Sequence, residues 1–197
     1  MKKSYFNLKK KYCLITGAAG LLGHEHASAI LEANGRVIIT DLNKTKLLRT
    51  YKKLKKSFRS KEILSFQMDV SNINSIQDVL KILKKKKIKV KILINNAAID
   101  SKINKKNNFL LNNHFENFSL SFWNKELQVG LTGTMLCSKI FGNEMQHHGG
   151  VILNIASDLS VVAPNQSIYS SKLNKKSNVK PVTYSVIKHG LIGLTKY

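Results

Sequence analysis

The 197-residue sequence predicts an α/β fold, a doubly wound parallel sheet flanked by helices. Three observations carry that prediction. Short β-branched runs alternate with helical stretches from Tyr12 to Ile155. A glycine-rich turn joins the first run to the first helix. An aspartate closes the second run.

Lys11 to Thr16 is a short apolar run that stops at glycine, a strand. Leu21 to Asn34 has helical spacing at Leu22, Ala29, Ile30 and Ala33, and closes at Asn34-Gly35, a helix stop. Val37 to Thr40 is β-branched throughout, as in a strand buried on both faces. Asn43 to Phe58 is a lysine-rich helix with Leu47, Leu48, Tyr51 and Leu54 on one side. Ile63 to Gln67 is a third strand. Ser71 to Lys87 is a helix capped by Ser71, with Ile76, Val79, Leu80 and Leu83 facing in. Its lysines 84 to 87 fall where the helix dipole favours cations. Val90 to Ile94 is a fourth strand, Ser119 to Met145 a long helix weakened by Gly130 and Gly133, and Val151 to Ile155 a fifth strand. Residues 98–118 and 157–181 are irregular, the first of them expected as a mobile surface loop. A last helix begins near Val182 and is still apolar and periodic at Tyr197, so the sequence is expected to be cut off inside a helix.

Composition narrows the class. With 43% hydrophobic residues and only 2 prolines the chain is globular, and no apolar run approaches the ~20 residues of a membrane helix. The lysines before Tyr12 lead into an apolar stretch too short for a signal peptide, so a cytoplasmic protein with no membrane partner is expected. The net charge of +22 fits a solvated lysine surface or an anionic partner. All but three of the 33 basic residues are lysine, the exceptions being Arg36, Arg49 and Arg59. Arginine is the preferred reader of bases, so no specific nucleic-acid partner is expected. Cys13 and Cys137 lie in apolar surroundings with no metal spacing and read as small buried hydrophobes.

Gly17, Gly20 and Gly23 lie between the first strand and first helix. Glycines there allow a tight turn, close approach of backbone N–H groups to a pyrophosphate, and close helix packing. Asp41 follows the second strand, 24 residues after Gly17, close to the ~20 expected for a carboxylate that binds a cofactor ribose. It also fits a helix cap. As a ribose ligand it would repel a 2′-phosphate, which favours NAD(H); Lys44 and Lys46 leave NADP(H) open. Asp69-Val70 and Asn95-Asn96-Ala97-Ala98 end the third and fourth strands, where ligands of such sheets collect, and where turn residues are also common.

Tyr184 and Lys188 share one helical face by their i,i+4 spacing. A cation beside a phenol favours the phenolate, which can take a proton from an alcohol while hydride moves to nicotinamide. Ser157, after the fifth strand, could hold the substrate oxygen.

Taken with these residues, the motifs TGAAGLLG, NNAA, LNIAS and YSVIK make the chain resemble the short-chain dehydrogenase/reductases over nearly all its length. The resemblance implies a single Rossmann-type domain, residues 1–197, lacking the family's C-terminal strands. It implies Tyr184 as acid/base, Lys188 as ribose ligand and tuner of Tyr184, and Ser157 as substrate orienter. Gly17, Gly20 and Gly23 would form the phosphate loop, with Ala19 and Leu22 also binding the cofactor; Asp69 and Val70 would contact adenine; Asn96 and Ala97 would line the cofactor. Asn95 would brace the sheet. The segment from Lys180 to Tyr197, with the long segment before it, is similar to oxidoreductases of flagellin modification and surface-polysaccharide pathways, which implies a sugar or sugar-nucleotide substrate. The family pairs its long helix and its catalytic helix across two-fold axes, which implies a homodimer or homotetramer through 119–145 and 182–197.

Three departures stand out. Leu21 occupies the place of the second glycine of the family's TGxxxGxG pattern. Gly130 stands where the family carries an asparagine that completes a proton relay. Ser157 and Tyr184 are 27 residues apart, about twice the usual interval, and the intervening Tyr169 with Lys172 reads as a decoy pair. A nucleotide-binding fragment without turnover is therefore the alternative expectation. His24 and His26 are expected to be exposed, His147 and His148 to form a turn and His189 to point away from the site, with no metal site.

Overall fold

Five strands form one parallel sheet in the order β3-β2-β1-β4-β5. They are β1 (Tyr12–Ile15), β2 (Arg36–Asp41), β3 (Ile63–Gln67), β4 (Val90–Asn95) and β5 (Val151–Asn154). The computed structural model describes residues 6–59, 61–99, 113–169 and 179–197. The chain divides into two units, Met1–Ala97 with Gly133–Ile155 and Ala98–Thr132 with Ala156–Tyr197.

The first unit holds the sheet with α1 (Leu21–Glu32), α2 (Lys44–Ser57), α3 (Ile73–Lys85) and α5 (Gly133–Gln146). Central β1 pairs Cys13 with Val37 on one side and Ile92 on the other, and Leu14 with Ile38 and Leu93. Buried side chains of both strand parities explain the uninterrupted apolar runs: Cys13, Leu14, Ile15, Val37, Ile38 and Ile39 are all fully buried. The strand order reverses between β1 and β4, so the carboxyl ends of these strands border the switch point where doubly wound sheets bind ligands.

Differences from the sequence expectations have local causes. The buried face of α1 is Gly23, Ala27 and Leu31, while Leu22 is 54% exposed. Small residues on that face let the helix lie close to β1 and β2. The cap of α3 is Asn72, whose side chain accepts from the N–H groups of Asn74 and Ser75. Ser71 cannot serve because Asp69 captures it: Ser71 donates both its N–H and its hydroxyl to Asp69 Oδ1. His26 is half-buried, not exposed, and its Nε2 is buried without a hydrogen-bond partner.

The expected long helix of residues 119–145 is α4 (Leu120–Leu127), a π-helical turn (Gln128–Thr132) and α5. A π-turn inserts an extra residue into the helical path, and glycines at 130 and 133 lower the local helix propensity. The second unit comprises α4, that turn, α6 (Val182–Lys196) and 3-10 turns at Phe115–Asn117, Asp158–Ser160 and Gln166–Tyr169. Most of the segment expected as a mobile loop, residues 100–112, lies outside the described residues, as does Lys172 of the decoy pair. Among the described residues no helix is long and apolar enough to cross a membrane.

Candidate functional site

In the first unit the turn after β1 is shaped by what cannot fit. Gly17 has φ +61°, and a Cβ on it would lie 2.7 Å from the Ala97 Cα. A Cβ on Gly23 would lie 2.5 Å from the Gly17 carbonyl oxygen and 2.6 Å from the Ala18 Cα. Gly20 is looser, its nearest neighbour 3.3 Å away, and it stands at the cap position of α1. No side chain caps α1 and no acidic residue occupies its first turn. The N–H groups that begin a helix are thus left to an anion, as a pyrophosphate cradle requires. Leu21, the departure from the family pattern, is 82% exposed and leaves the turn itself unfilled.

Asp41 ends β2 and reaches this turn. Its Oδ2 accepts from the Ala19 N–H at 3.0 Å and its Oδ1 from the Asn43 N–H at 2.9 Å. The cap of α2 is Asn43, which accepts from the Lys46 N–H, so the cap alternative for Asp41 does not hold. A carboxylate has about four acceptor sites, and two remain for ribose hydroxyls. Asn96 donates to the carbonyls of Thr16 and Gly17, both at 3.0 Å, and ties the turn to β4. Asn95 donates to Asn154 at 2.8 Å and to Ser138 at 3.0 Å, bracing β4 against β5 and α5. Val70 is buried beneath Gly133, where a Cβ would come within 2.8 Å of its Cγ2. Asp69 is occupied with Ser71, as described.

Thr16 was not singled out in the sequence. Its hydroxyl oxygen accepts from the N–H groups of both Asn96 and Ala97 at 3.0 Å. A hydroxyl residue between an apolar strand and a positive-φ glycine is the signal that could have found it.

In the second unit Tyr184 and Lys188 lie on one face of α6, and the Lys188 ammonium is 5.6 Å from the centre of the Tyr184 ring. Lys188 is 7% exposed. Burial, and then the charge of Lys180, hold its pKa below the usual lysine value. Both line a cleft with Ile99, Glu126, Gly130 and Lys180. Glu126 is buried and accepts a hydrogen bond from the Thr183 hydroxyl. Gly130 is tightly covered: a Cβ would meet the Ile187 Cγ2 at 2.9 Å, so an asparagine here requires Ile187 to shift. Lys180, Glu126 and Thr183 were missed because nothing in their sequence spacing links them to Tyr184. Tyr169 does not line the cleft.

Ser157 opens the turn Asp158–Ser160, which packs against α6. Its hydroxyl donates to Asp158 Oδ1 at 2.7 Å and accepts from the Leu159 N–H at 3.2 Å. That donation is the main reason the Asp158 carboxyl titrates below its ordinary value. Among the described residues no group of three or more His, Cys, Asp or Glu is placed to hold a metal ion. Cys13 and Cys137 are fully buried, and burial pushes each thiol up to about 12.

The chain belongs to the short chain dehydrogenase family, which matches residues 11–172. It is 33% identical over 196 residues to the short chain dehydrogenase/reductase dpfgG of Gibberella zeae, across 96% of this chain and 63% of that protein. It is 27% identical over 164 residues to an NAD-dependent glycerol dehydrogenase of Listeria innocua, across 83% of this chain and 59% of the relative. A short chain dehydrogenase/reductase from Burkholderia phymatum, solved in complex with NAD, shares the fold with a TM-score of 0.77 at 22% identity, over 97% of this chain and 59% of that one. The chain spans about 60% of the length of these relatives.

Proposed function

We propose that the chain serves hydride exchange between NAD(H) and a hydroxyl or carbonyl compound, with Tyr184 handling the proton. The observation that carries this reading is the pair on α6: a phenol with a buried ammonium 5.6 Å from its ring. In the oxidative direction Tyr184 accepts the substrate's hydroxyl proton, and in the reductive direction it returns one. Bound nicotinamide supplies the hydride acceptor or donor. Lys188 holds its ribose and supports charge on the phenol. Ser157 orients the substrate oxygen once its hydroxyl lets go of Asp158.

The uncapped start of α1 and the space kept by Gly17 and Gly23 fit a dinucleotide pyrophosphate, with Ala19, Gly20 and Leu22 around it. Asp69, Val70, Asn96 and Ala97 complete the cofactor's surroundings in this reading. Asp41 favours NAD(H), because a 2′-phosphate would meet its carboxylate as a like charge. The similarity of residues 180–197 to flagellin-modification and surface-polysaccharide oxidoreductases supports a sugar or sugar-nucleotide precursor, handled in the cytoplasm where NAD(H) is at hand. A second reading, nucleotide binding without turnover, draws on Gly130, which offers no side chain to a proton relay.

Equilibrium titration with NADH and NADPH tests the proposal. NADH binds more tightly, and Asp41→Ala narrows the difference. Equal affinity of the unmodified chain for both cofactors overturns the role of Asp41, and failure to bind either overturns the reading.

A further inference from the structure

Lys180 stands directly over the face of Tyr184, its ammonium 3.9 Å from the ring centre. It is nearer to the ring than Lys188 is. The position is built, not incidental to a loose side chain. The Lys180 N–H donates to Gln166 Oε1 at 2.8 Å, and the Gln166 amide donates back to the Lys180 carbonyl at 3.2 Å. Pro181 follows, buried, and fixes the entry into α6.

Lys180 is half-buried. It makes no ion pair with a carboxylate of the described residues. It shares the Tyr184 cleft with a second cation, Lys188, and among the described residues that line the cleft the one carboxylate is that of Glu126. Burial is the main cause that lowers the proton affinity of Lys188, and repulsion by the Lys180 ammonium in the same partly dry cleft adds to it. Such an arrangement is relieved by an anion.

Lys180 and Pro181 also border a second opening, a groove of about 400 Å³. Asn113, His114, Glu116, Gln166 and Ser185 line it with donors and acceptors. Its volume lies in the range of ordinary small-molecule sites. Lys180 therefore stands between the tyrosine cleft and a groove of substrate size, whose walls set these polar groups among Phe115, Pro164, Val179 and Val182.

We infer that the substrate is a polyhydroxy compound carrying a carboxylate or phosphate near its reacting carbon, and that Lys180 is the residue that selects it. The groove takes the rest of the polar molecule. The ammonium lies over the ring of Tyr184, so the anion it holds is close to the oxygen that the phenol addresses. This rests on the reading of Tyr184 given above and adds the class of substrate.

Isothermal titration with D-glucose, D-gluconate and glucose 6-phosphate, with inorganic phosphate as an arm free of any sugar, tests the inference without turnover. A charge-assisted contact predicts that gluconate or glucose 6-phosphate binds about tenfold more tightly than glucose. The better of the two identifies the anion as carboxylate or phosphate. In Lys180→Met the preference falls to parity, and in Lys180→Arg it survives. Lys52→Met makes the same change of net charge on the exposed face of α2 and leaves the preference intact. A preference that persists in Lys180→Met assigns it to the general basic field and overturns the inference. No preference, or no measurable heat with any of the four, overturns it as well. NADH titrated into the same samples separates the two proposals: intact NADH binding without anion preference removes the inference alone, while anion preference without NADH binding removes the cofactor reading.

Discussion

Around Gly17 the polar partners are backbone groups and the short side chains of Thr16, Asp41 and Asn96, and each is met close by. Ala18 N–H reaches the Thr40 carbonyl, Ala19 N–H reaches Asp41, and the Gly17 carbonyl receives both Asn96 and the Gly20 N–H. Around Tyr184 the neighbours are side chains, and charged groups gather there: two ammonium groups, a buried carboxylate that accepts from Thr183, and nearby a serine bonded to Asp158. The first region is fixed by what is missing, the Cβ atoms of glycine. The second is fixed by what is present and imperfectly balanced. A glycine turn answers to sterics and fails through its backbone. A charged cluster answers to electrostatics and fails in function while its fold persists.

Four experiments test that contrast. The largest effect belongs to the cluster. Tyr184→Phe removes one oxygen and keeps the ring, so hydride transfer falls by roughly 10²–10⁴ while thermal stability and NADH affinity hold. Tyr169→Phe leaves turnover unchanged. Assay of both with NADH checks this, in a host with measurable turnover, and the opposite pattern assigns the chemistry to Tyr169.

The turn gives the next effect. Gly23→Ala forces a methyl against the Gly17 oxygen and the Ala18 Cα, both backbone. A cost of about 1–3 kcal/mol is expected, with loss of NADH binding. Denaturant melting together with NADH titration reads both, and a variant that binds NADH normally breaks the contrast.

Thr16→Val sharpens it. The Asn96 and Ala97 N–H groups lose their shared acceptor, at about 1–3 kcal/mol. Replacing Thr16 with Ser keeps the hydroxyl and should recover most of that stability in the same melting experiment.

The smallest effect separates the core from both regions. Native Cys13 and Cys137 resist thiol reagents at pH 8, and both react once the chain is unfolded. The folded thiols keep their protons to about 12, and the unfolded ones lose them near the ordinary 9.0. The folded state thus binds more protons above pH 9, and the thiol contribution to stability declines as pH rises there. Rapid labelling of the native chain would contradict the burial of these residues.

The contrast also governs what the sequence disclosed. The strands were legible because two-sided burial needs unbroken runs such as Val37 to Thr40. The turn was legible because only glycine tolerates its geometry, and because Asp41 follows at a diagnostic interval. The α3 cap was misplaced by one residue because two adjacent residues, Ser71 and Asn72, are both good caps, and only the position of Asp69 decides between them. The face of α1 was misplaced because its packing side is glycine and alanine, which hydrophobic spacing underweights. The π-turn at Gln128–Thr132 was hidden because apolar residues continue on either side of it. Tyr184 and Lys188 were found through their spacing on one helix. Lys180 lies just outside that helix, and Glu126 and Gln166 reach the cluster from elsewhere in the chain, so no periodicity could report them.

Gly130 carries a consequence for how this sequence can change over generations. A side chain at this position requires the present Ile187 side chain to shift, since a Cβ here would lie 2.9 Å from the Ile187 Cγ2. Substituting asparagine at Gly130 alone is a step downhill in stability. Trimming Ile187 alone opens a cavity in α6's packing and is also a step downhill. Made together, the two changes relieve each other, with a coupling in the range of about 0.5–3 kcal/mol seen for residues in contact. The two positions are thus epistatic. A lineage that holds the glycine is separated from one that holds the asparagine by a valley, and crossing it takes a paired replacement or a stabilising change made beforehand.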